Sequence, residues 1–143
     1  MRIGAALAGV LLVLLGVTSA SATVRISEDR GGRIVSYLYK FAMIRASGER
    51  VVIDGTCASA CTMILGTVPR DHICVTPRAS LGFHAAWEYG AAGRPVASRG
   101  GTQFLLQTYP PEIRRWISRH GGLTPHMLIL RGRELAAMYP PCS

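Results

Sequence analysis

The chain has 143 residues and a formal net charge of +8 at pH 7. That length suits one compact domain with its own core and is too short for two. The positive charge favours anionic envelope surfaces or ligands as partners. It does not indicate nucleic-acid binding, because the arginines are scattered singly or in pairs and no aromatic-rich basic stripe accompanies them.

Residues 1–22 have the order of a secretory signal peptide. Arg2 precedes an apolar stretch that runs from about residue 5 to residue 17, and an Ala-x-Ala cleavage site ends at Ala22. A membrane anchor is the alternative, but the stretch is shorter than the roughly 20 residues that cross a bilayer. We therefore expect export, with cleavage near Ala22 leaving residues 23–143 as a single periplasmic or secreted domain.

The first half of the exported chain alternates between strand and helix patterns. Helices are predicted over 34–44, closed by Gly48, and from residue 60 to residue 65. Strands are predicted over 23–27, 50–54, 72–76 and 79–85, with a turn over 55–59. This order is typical of a parallel sheet, so we predict a compact α/β fold whose small, mostly parallel sheet is flanked by helices.

The second half is predicted to be mainly helical. Residues 87–101 are rich in glycine, alanine and polar residues, which indicates a mobile loop. Two helices are predicted over 102–109 and 110–122, and a third helix is expected after the Thr124 cap.

One serine stands out in the stretch DGTCASACTMILG, residues 54–66. Ser59 lies where a buried strand turns into a helix, so its hydroxyl is placed beside free backbone N–H groups that can hold a developing oxyanion. A nucleophilic serine also needs a base within hydrogen-bond reach, and His84 follows after one helix and one strand. The alternative is that Ser59 only caps a helix and His84 is a satisfied core histidine.

Three segments in this order resemble a known family. DRGGRIVSYLYKF, VVIDGTCASACTMILG and ICVTPRASLGFHAA are similar to the Gly-Gly turn, the serine turn and the histidine strand of Clp-type serine proteases and the wider Clp/crotonase superfamily. The resemblance covers residues 24–86 and continues more weakly to about residue 140. It implies the ββα-repeat fold of that superfamily and an activity that needs no cofactor or metal.

The resemblance also implies roles for particular residues. Ser59 matches the nucleophile and His84 the general base. The backbone N–H of Ala60 matches one oxyanion donor, and the N–H of Gly31 or Gly32 matches the other. Glycine suits that turn because a Cβ would obstruct the approach to the substrate carbonyl.

The sequence also departs from the family's pattern. The proteases use an aspartate to orient the histidine, whereas no aspartate follows Asp71. Glu134 lies in a comparable region and is the candidate for that role, with a surface position as the alternative. The chain is also shorter than a full Clp-type subunit, so the oligomeric state stays open.

Four cysteines in an exported protein favour two disulfides over four free thiols. A bridge from Cys57 or Cys61 to Cys74 or Cys142 would pin the serine turn to a neighbouring strand or to the C-terminus. A zinc site from three of these cysteines and His72 is the disfavoured alternative, because the compartment is oxidising.

Three functions follow from these observations. The first is an exported serine hydrolase or peptidase that acts on a peptide or ester through Ser59 and His84. The second is a non-catalytic binding or structural module of the cell envelope that keeps the fold. The third, a crotonase-type site for acyl thioesters, is disfavoured by export.

Overall fold

The structure is a computed structural model that describes residues 22–143. The predicted signal peptide therefore lies outside the described residues, apart from Ala22. The described chain is a mixed α/β fold with a mostly parallel sheet flanked by helices, as predicted. No helix in residues 22–143 is long and apolar enough to cross a membrane.

The elements follow one another in the order expected for an α/β chain in its first half. The strands of residues 22–143 are β1 (Thr23–Asp29), β2 (Arg50–Ala58), β3 (Ile73–Val75), β4 (Ser80–Phe83), β5 (Trp87–Tyr89), β6 (Pro95–Ala97) and β7 (Leu128–Arg131). The helices there are α1 (Ile34–Ser47), α2 (Ile64–Thr67), α3 (Arg99–Thr108), α4 (Pro111–Arg119) and α5 (Gly132–Ala136). A 3₁₀ segment, Ser59–Met63, joins β2 to α2.

The main sheet has the order β1-β2-β4-β7, and β3 pairs with β2 alongside β4. The strands β1, β3 and β4 are all parallel to β2, whereas β7 is antiparallel to β4. Because the carboxyl ends of parallel neighbours meet at one edge of a sheet, the segments that follow β1, β2 and β4 are brought together there.

Strand β2 extends beyond the predicted residues 50–54 to Ala58. The turn predicted over 55–59 is therefore wrong for residues 55–58, and the chain reverses only at Ser59. The last residues of β2 pair on both sides: Asp29 of β1 lies opposite Cys57, and Gly82 of β4 lies opposite Ala58. Gly55 is accommodated at a register shift, where an added Cβ would lie 2.0 Å from the carbonyl oxygen of Ser27. Tertiary pairing has overridden a local turn signal.

Helix α1 confirms its prediction closely. It begins at Ile34, and Gly48 ends it in the left-handed conformation with φ 70°. Phe41 and Ile44 are buried against the rest of the core, as the apolar spacing requires.

The second half departs from prediction in two places. Residues 87–97 form an antiparallel hairpin, β5 with β6, instead of a mobile loop, and α3 begins at Arg99 with Ser98 as its capping residue. The helix expected after Thr124 is instead the edge strand β7 followed by α5. Pairing with β4 decides the conformation of β7, and a single sequence does not display that pairing.

An aromatic cluster joins α3 and α4 to the sheet. Phe83 of β4 contacts Tyr109 edge-on, with ring centroids 5.3 Å apart, and lies 5.9 Å from the ring of Trp116. All three side chains are almost fully buried. The strand that leads to His84 is therefore held firmly by the helices beneath it.

Asp54 of β2 is a buried carboxylate that is fully partnered. Its side chain is 5% exposed and accepts hydrogen bonds from Arg25, Thr76 and Arg78. The bonds from Arg78 and Thr76, with that from Arg25, lower the pKa of the carboxyl to about 2 despite the opposing effect of burial. This cluster links β1, β2 and the segment after β3.

We expect Asp54→Asn to lower the melting temperature at pH 7 and to have a smaller effect in acid. An unfolded aspartate has a pKa of about 3.9, and that of folded Asp54 is about 2. The stabilisation is therefore complete above about pH 4 and is lost as the pH falls towards 2. Circular dichroism melts of both proteins across this range measure the difference.

The exposed carboxylate Asp71, replaced by Asn, is the matched control, since residues 22–143 give it no ion pair. A melting-temperature difference between Asp54→Asn and wild type that stays constant from pH 7 to the acid limit would contradict this account.

Candidate active site

A cavity of about 720 Å³ lies at the carboxyl ends of β1, β2 and β4. The predicted site residues Gly31, Gly32, Ser59, Ala60 and His84 all line it. The first two follow β1, the next two follow β2 and the last follows β4. The structure thus brings together five of the residues singled out in the sequence, in the place where α/β sheets usually bind ligands.

Ser59 occupies a sharp reversal between β2 and the 3₁₀ segment. Ala58 is still extended, with φ −122° and ψ 158°, whereas Ser59 has φ 57°. A left-handed conformation costs a residue with a Cβ about 1–2 kcal/mol, and such residues concentrate at functional sites. The turn leaves Ser59 half-buried and facing the cavity.

Two groups of side chains hold this turn. A disulfide joins Cys57 to Cys61, on either side of Ser59, with Cα atoms 5.3 Å apart. The hydroxyl of Thr62 donates to the carbonyl oxygen of Ser59 at 2.7 Å. The hydroxyl of buried Tyr109 lies 2.7 Å from Thr62 Oγ1, and since the Thr62 hydrogen is already used, Tyr109 donates to Thr62. Burial raises the pKa of Tyr109 to about 12, so this hydroxyl keeps its hydrogen at neutral pH.

The Gly-Gly turn after β1 packs directly on the serine turn. Gly31 has φ 84°, and an added Cβ would lie 2.6 Å from the Cβ of Ser59 and 2.8 Å from the nitrogen of Ala60. Only glycine fits there. The N–H of Gly31 donates to Asp29 Oδ1 at 2.9 Å, whereas that of Gly32 has no acceptor within residues 22–143. The N–H of Ala60 lies in the first turn of the 3₁₀ segment, where no earlier turn supplies an acceptor. The two unused amides belong to residues that line one cavity.

His84 is oriented by the backbone. Its Nδ1 lies 2.7 Å from the carbonyl oxygen of Ala85. Since a carbonyl oxygen only accepts, Nδ1 carries the hydrogen and the neutral ring keeps its lone pair on Nε2. No hydrogen bond joins His84 to Ser59 in the described chain. Catalytic hydrogen bonds are often long or absent without substrate, so the lack of this bond is compatible with a nucleophile and base pair.

The structure does not bring Glu134 to His84. Strand β7 runs antiparallel to β4, so Leu128 pairs with Phe83 and Arg131 with Ser80. Glu134 follows Arg131 and lies past the amino end of β4, whereas His84 follows the carboxyl end. At about 3.4 Å per residue these ends are roughly 10 Å apart. The prediction that Glu134 orients His84 is therefore wrong. The carbonyl oxygen of Ala85 binds His84 Nδ1 instead.

Two disulfides are present, as predicted, but the expected cross-pairing is wrong. Cys57 pairs with Cys61 and Cys74 with Cys142. The positive φ of Ser59 folds the chain back, and this brings Cys57 to Cys61 locally. With all four cysteines bridged, none remains as a thiolate ligand for the zinc alternative. Two such bridges suggest an oxidising, non-cytoplasmic environment.

Several cavity residues were missed by the sequence analysis. Arg30 and Arg33 flank the Gly-Gly turn, and Trp87, Glu88 and Tyr89 of β5 form another part of the wall. The rings of Trp87 and Tyr89 meet edge-on at 5.1 Å and are at least half exposed. A second cavity of about 640 Å³ lies beyond them and shares His84. Only the hairpin places β5 here, and the sequence had indicated a loop.

No protein-family model matches the chain, and no curated protein matches it in sequence.

The two disulfides should contribute unequally to stability. Cys57 and Cys61 are 4 residues apart, whereas Cys74 and Cys142 are 68 apart. A longer closed loop restrains the unfolded chain more, so replacing both cysteines by alanine should cost about 2 kcal/mol for the short bridge and about 4 kcal/mol for the long one. Guanidinium unfolding without reductant measures both variants, with wild type as reference. A larger loss for the Cys57–Cys61 variant would contradict the loop-length argument.

Proposed function

We propose that the protein is an exported serine hydrolase or peptidase of Clp-like arrangement that acts on a peptide or ester. One observation carries the proposal: Ser59, held in a left-handed turn at the end of β2, shares a cavity with His84 and with two unused backbone amides. An ordinary helix cap does not need positive φ, and the capping position of this 3₁₀ segment is that of Ala58, whereas Ser59 lies within the segment.

Ser59 Oγ is the nucleophile in this scheme. It attacks the acyl carbon while His84 Nε2 takes its proton, and the N–H groups of Ala60 and Gly32 hold the oxyanion. The bond to the leaving group then breaks, and the leaving amine or alcohol receives the proton from His84. Water, deprotonated by the same ring, hydrolyses the ester on Ser59 and releases the acid.

The partner of His84 sets an expectation about rate. A carbonyl oxygen fixes the ring's tautomer, as a triad carboxylate does, but it carries no full charge to stabilise the imidazolium. A dyad oriented in this way should favour activated esters over amides. The sole lysine, Lys40, is bound to Asp29 by an ion pair of 3.1 Å and does not serve as an alternative base.

A fluorophosphonate probe tests the proposal. We expect residues 23–143 to be labelled on Ser59 alone, with loss of labelling in Ser59→Ala and a decrease of at least about 100-fold in His84→Ala, because the general base is removed. Peptide mass spectrometry identifies the labelled residue. Ser98→Ala is the matched control, since Ser98 lines the same cavity, but its hydroxyl caps α3 and donates to Glu88.

Labelling of Ser98, or equal labelling of wild type and Ser59→Ala, would refute a nucleophilic Ser59. Circular dichroism of each variant establishes that a lost label reflects chemistry and not unfolding.

The oxidising environment suggested by the disulfides supports export, and we propose that residues 1–22 are a cleaved signal peptide. The positive charge would then attract the exported domain to anionic envelope surfaces, a contact that added salt should weaken.

Mass spectrometry of protein recovered from cells should show a chain that begins at Thr23. Ala22→Arg should abolish this species, because a large charged side chain does not fit the small-residue cleavage site. A wild-type chain that begins at Met1 and stays in the membrane fraction would overturn the assignment.

A non-catalytic binding module of the cell envelope is the second candidate. It is favoured by the absence of a carboxylate partner for His84 in the described chain and by the exposed Trp87 and Tyr89 beside both cavities. Aromatic side chains of this kind often anchor ligands. A folded wild type that resists the fluorophosphonate at all concentrations would favour the module over the hydrolase.

A further inference from the structure

Asp29, the last residue of β1, makes contacts that the scheme above does not use. Its Oδ1 accepts from the N–H of Gly31 at 2.9 Å and from the hydroxyl of Tyr37 at 2.5 Å, and its Oδ2 lies 3.1 Å from the ammonium of Lys40. The side chain is 15% exposed. One carboxylate therefore ties together the end of β1, the Gly-Gly turn and helix α1.

The bond to Gly31 is an Asx-turn, in which an aspartate binds the backbone N–H two residues on. It occupies the Gly31 amide and leaves that of Gly32 without an acceptor in residues 22–143. Gly31 is in turn fixed against Ser59 and Ala60 by close packing. The side chain of Asp29 thus decides which glycine amide is available beside the serine.

The carboxylate is itself fixed from helix α1. Burial and the hydrogen bond to Asp29 raise the pKa of Tyr37 to about 12, so its hydroxyl stays a donor at neutral pH. Tyr37 also packs edge-on against buried Phe41, with centroids 5.5 Å apart. The turn is therefore supported by a side chain anchored in the core.

We propose that Asp29 is a positioning residue that aims the Gly32 amide at the oxyanion, with Tyr37 holding its carboxylate. The inference rests on the proposed hydrolase function. Without the Asp29 side chain, the Gly31 N–H has no partner and the Gly-Gly turn can rotate, so the oxyanion loses a fixed donor. Asparagine keeps an oxygen that accepts from both Gly31 and Tyr37 and loses only the ion pair with Lys40.

Fluorophosphonate labelling kinetics separate this role from a loss of folding. In Asp29→Ala the maximal labelling rate should fall at least about tenfold. Complete removal of an oxyanion donor lowers a rate by about 10²- to 10³-fold, and a misplaced donor should cost part of that factor. The probe concentration that gives half the maximal rate should stay within about twofold of the wild-type value. Asp29→Asn should recover most of the rate, and Tyr37→Phe should lie between the two. Asp54→Asn is the control, because it removes a charged partner of two arginines elsewhere in the sheet without touching the cavity.

A folded Asp29→Ala protein that labels like wild type would overturn the proposal, as would an Asn variant as slow as the Ala variant. If wild type does not label at all, the hydrolase function fails, and the backbone amide signals of Gly31 and Gly32 decide the role of Asp29. If both NMR signals shift in Asp29→Ala and return to their wild-type positions in Asp29→Asn, the conclusion that Asp29 positions the Gly-Gly turn stands. Unchanged signals in Asp29→Ala would refute that conclusion.

Discussion

The parallel pairing of β2 with β1 on one side and β4 on the other is the constraint on which the candidate site depends. Opposite Cys57 lies Asp29, and opposite Ala58 lies Gly82. Each strand ends within a residue or two of this level, so three chain reversals meet in one place. One reversal carries the two glycines, one carries the serine and one carries the histidine. The sheet's register, rather than any single contact, sets their spacing.

The serine turn is strained and is surrounded by features that offset the strain. The left-handed φ of Ser59 is disfavoured by about 1–2 kcal/mol. Against it stand a disulfide across the turn, a buried hydroxyl pair that binds its carbonyl oxygen, and a glycine packed on its Cβ. A conformation supported from three sides is a fixed part of the fold. The N–H groups of Ala60 and Gly32 lie beside it, where they can donate hydrogen bonds to a ligand oxygen.

Short-range patterns predicted those parts of the fold that short-range forces decide. Helix α1 and the end at Gly48 followed from apolar spacing and one glycine, and the placement of Ser59 and His84 followed from the order of strands. The strand β7 and the full length of β2 did not, because each depends on a partner distant in sequence. The hairpin β5–β6 is local, with Trp87 paired to Ala97, but its glycine- and alanine-rich sequence is also typical of a loop. Glu134 illustrates the limit: its approximate region suggested a role, but the antiparallel direction of β7 carries it to the far end of β4. The role of Asp29, by contrast, could have been predicted from the sequence, because an aspartate at the end of a strand and two residues before a glycine is typical of an Asx-turn.

The Cys74–Cys142 bridge gives the chain a closed covalent ring. Every residue from Cys74, in the middle of β3, to Cys142 lies inside it, including His84 and the hairpin, whereas Ser59 and the Gly-Gly turn lie outside. The exposed residues 91–94 at the tip of the hairpin are the kind of segment that proteases cut. A single cut there opens the ring without detaching anything, because the bridge still joins the piece that carries the serine to the piece that carries the C-terminus. Under oxidising conditions a nicked molecule thus remains one covalent unit.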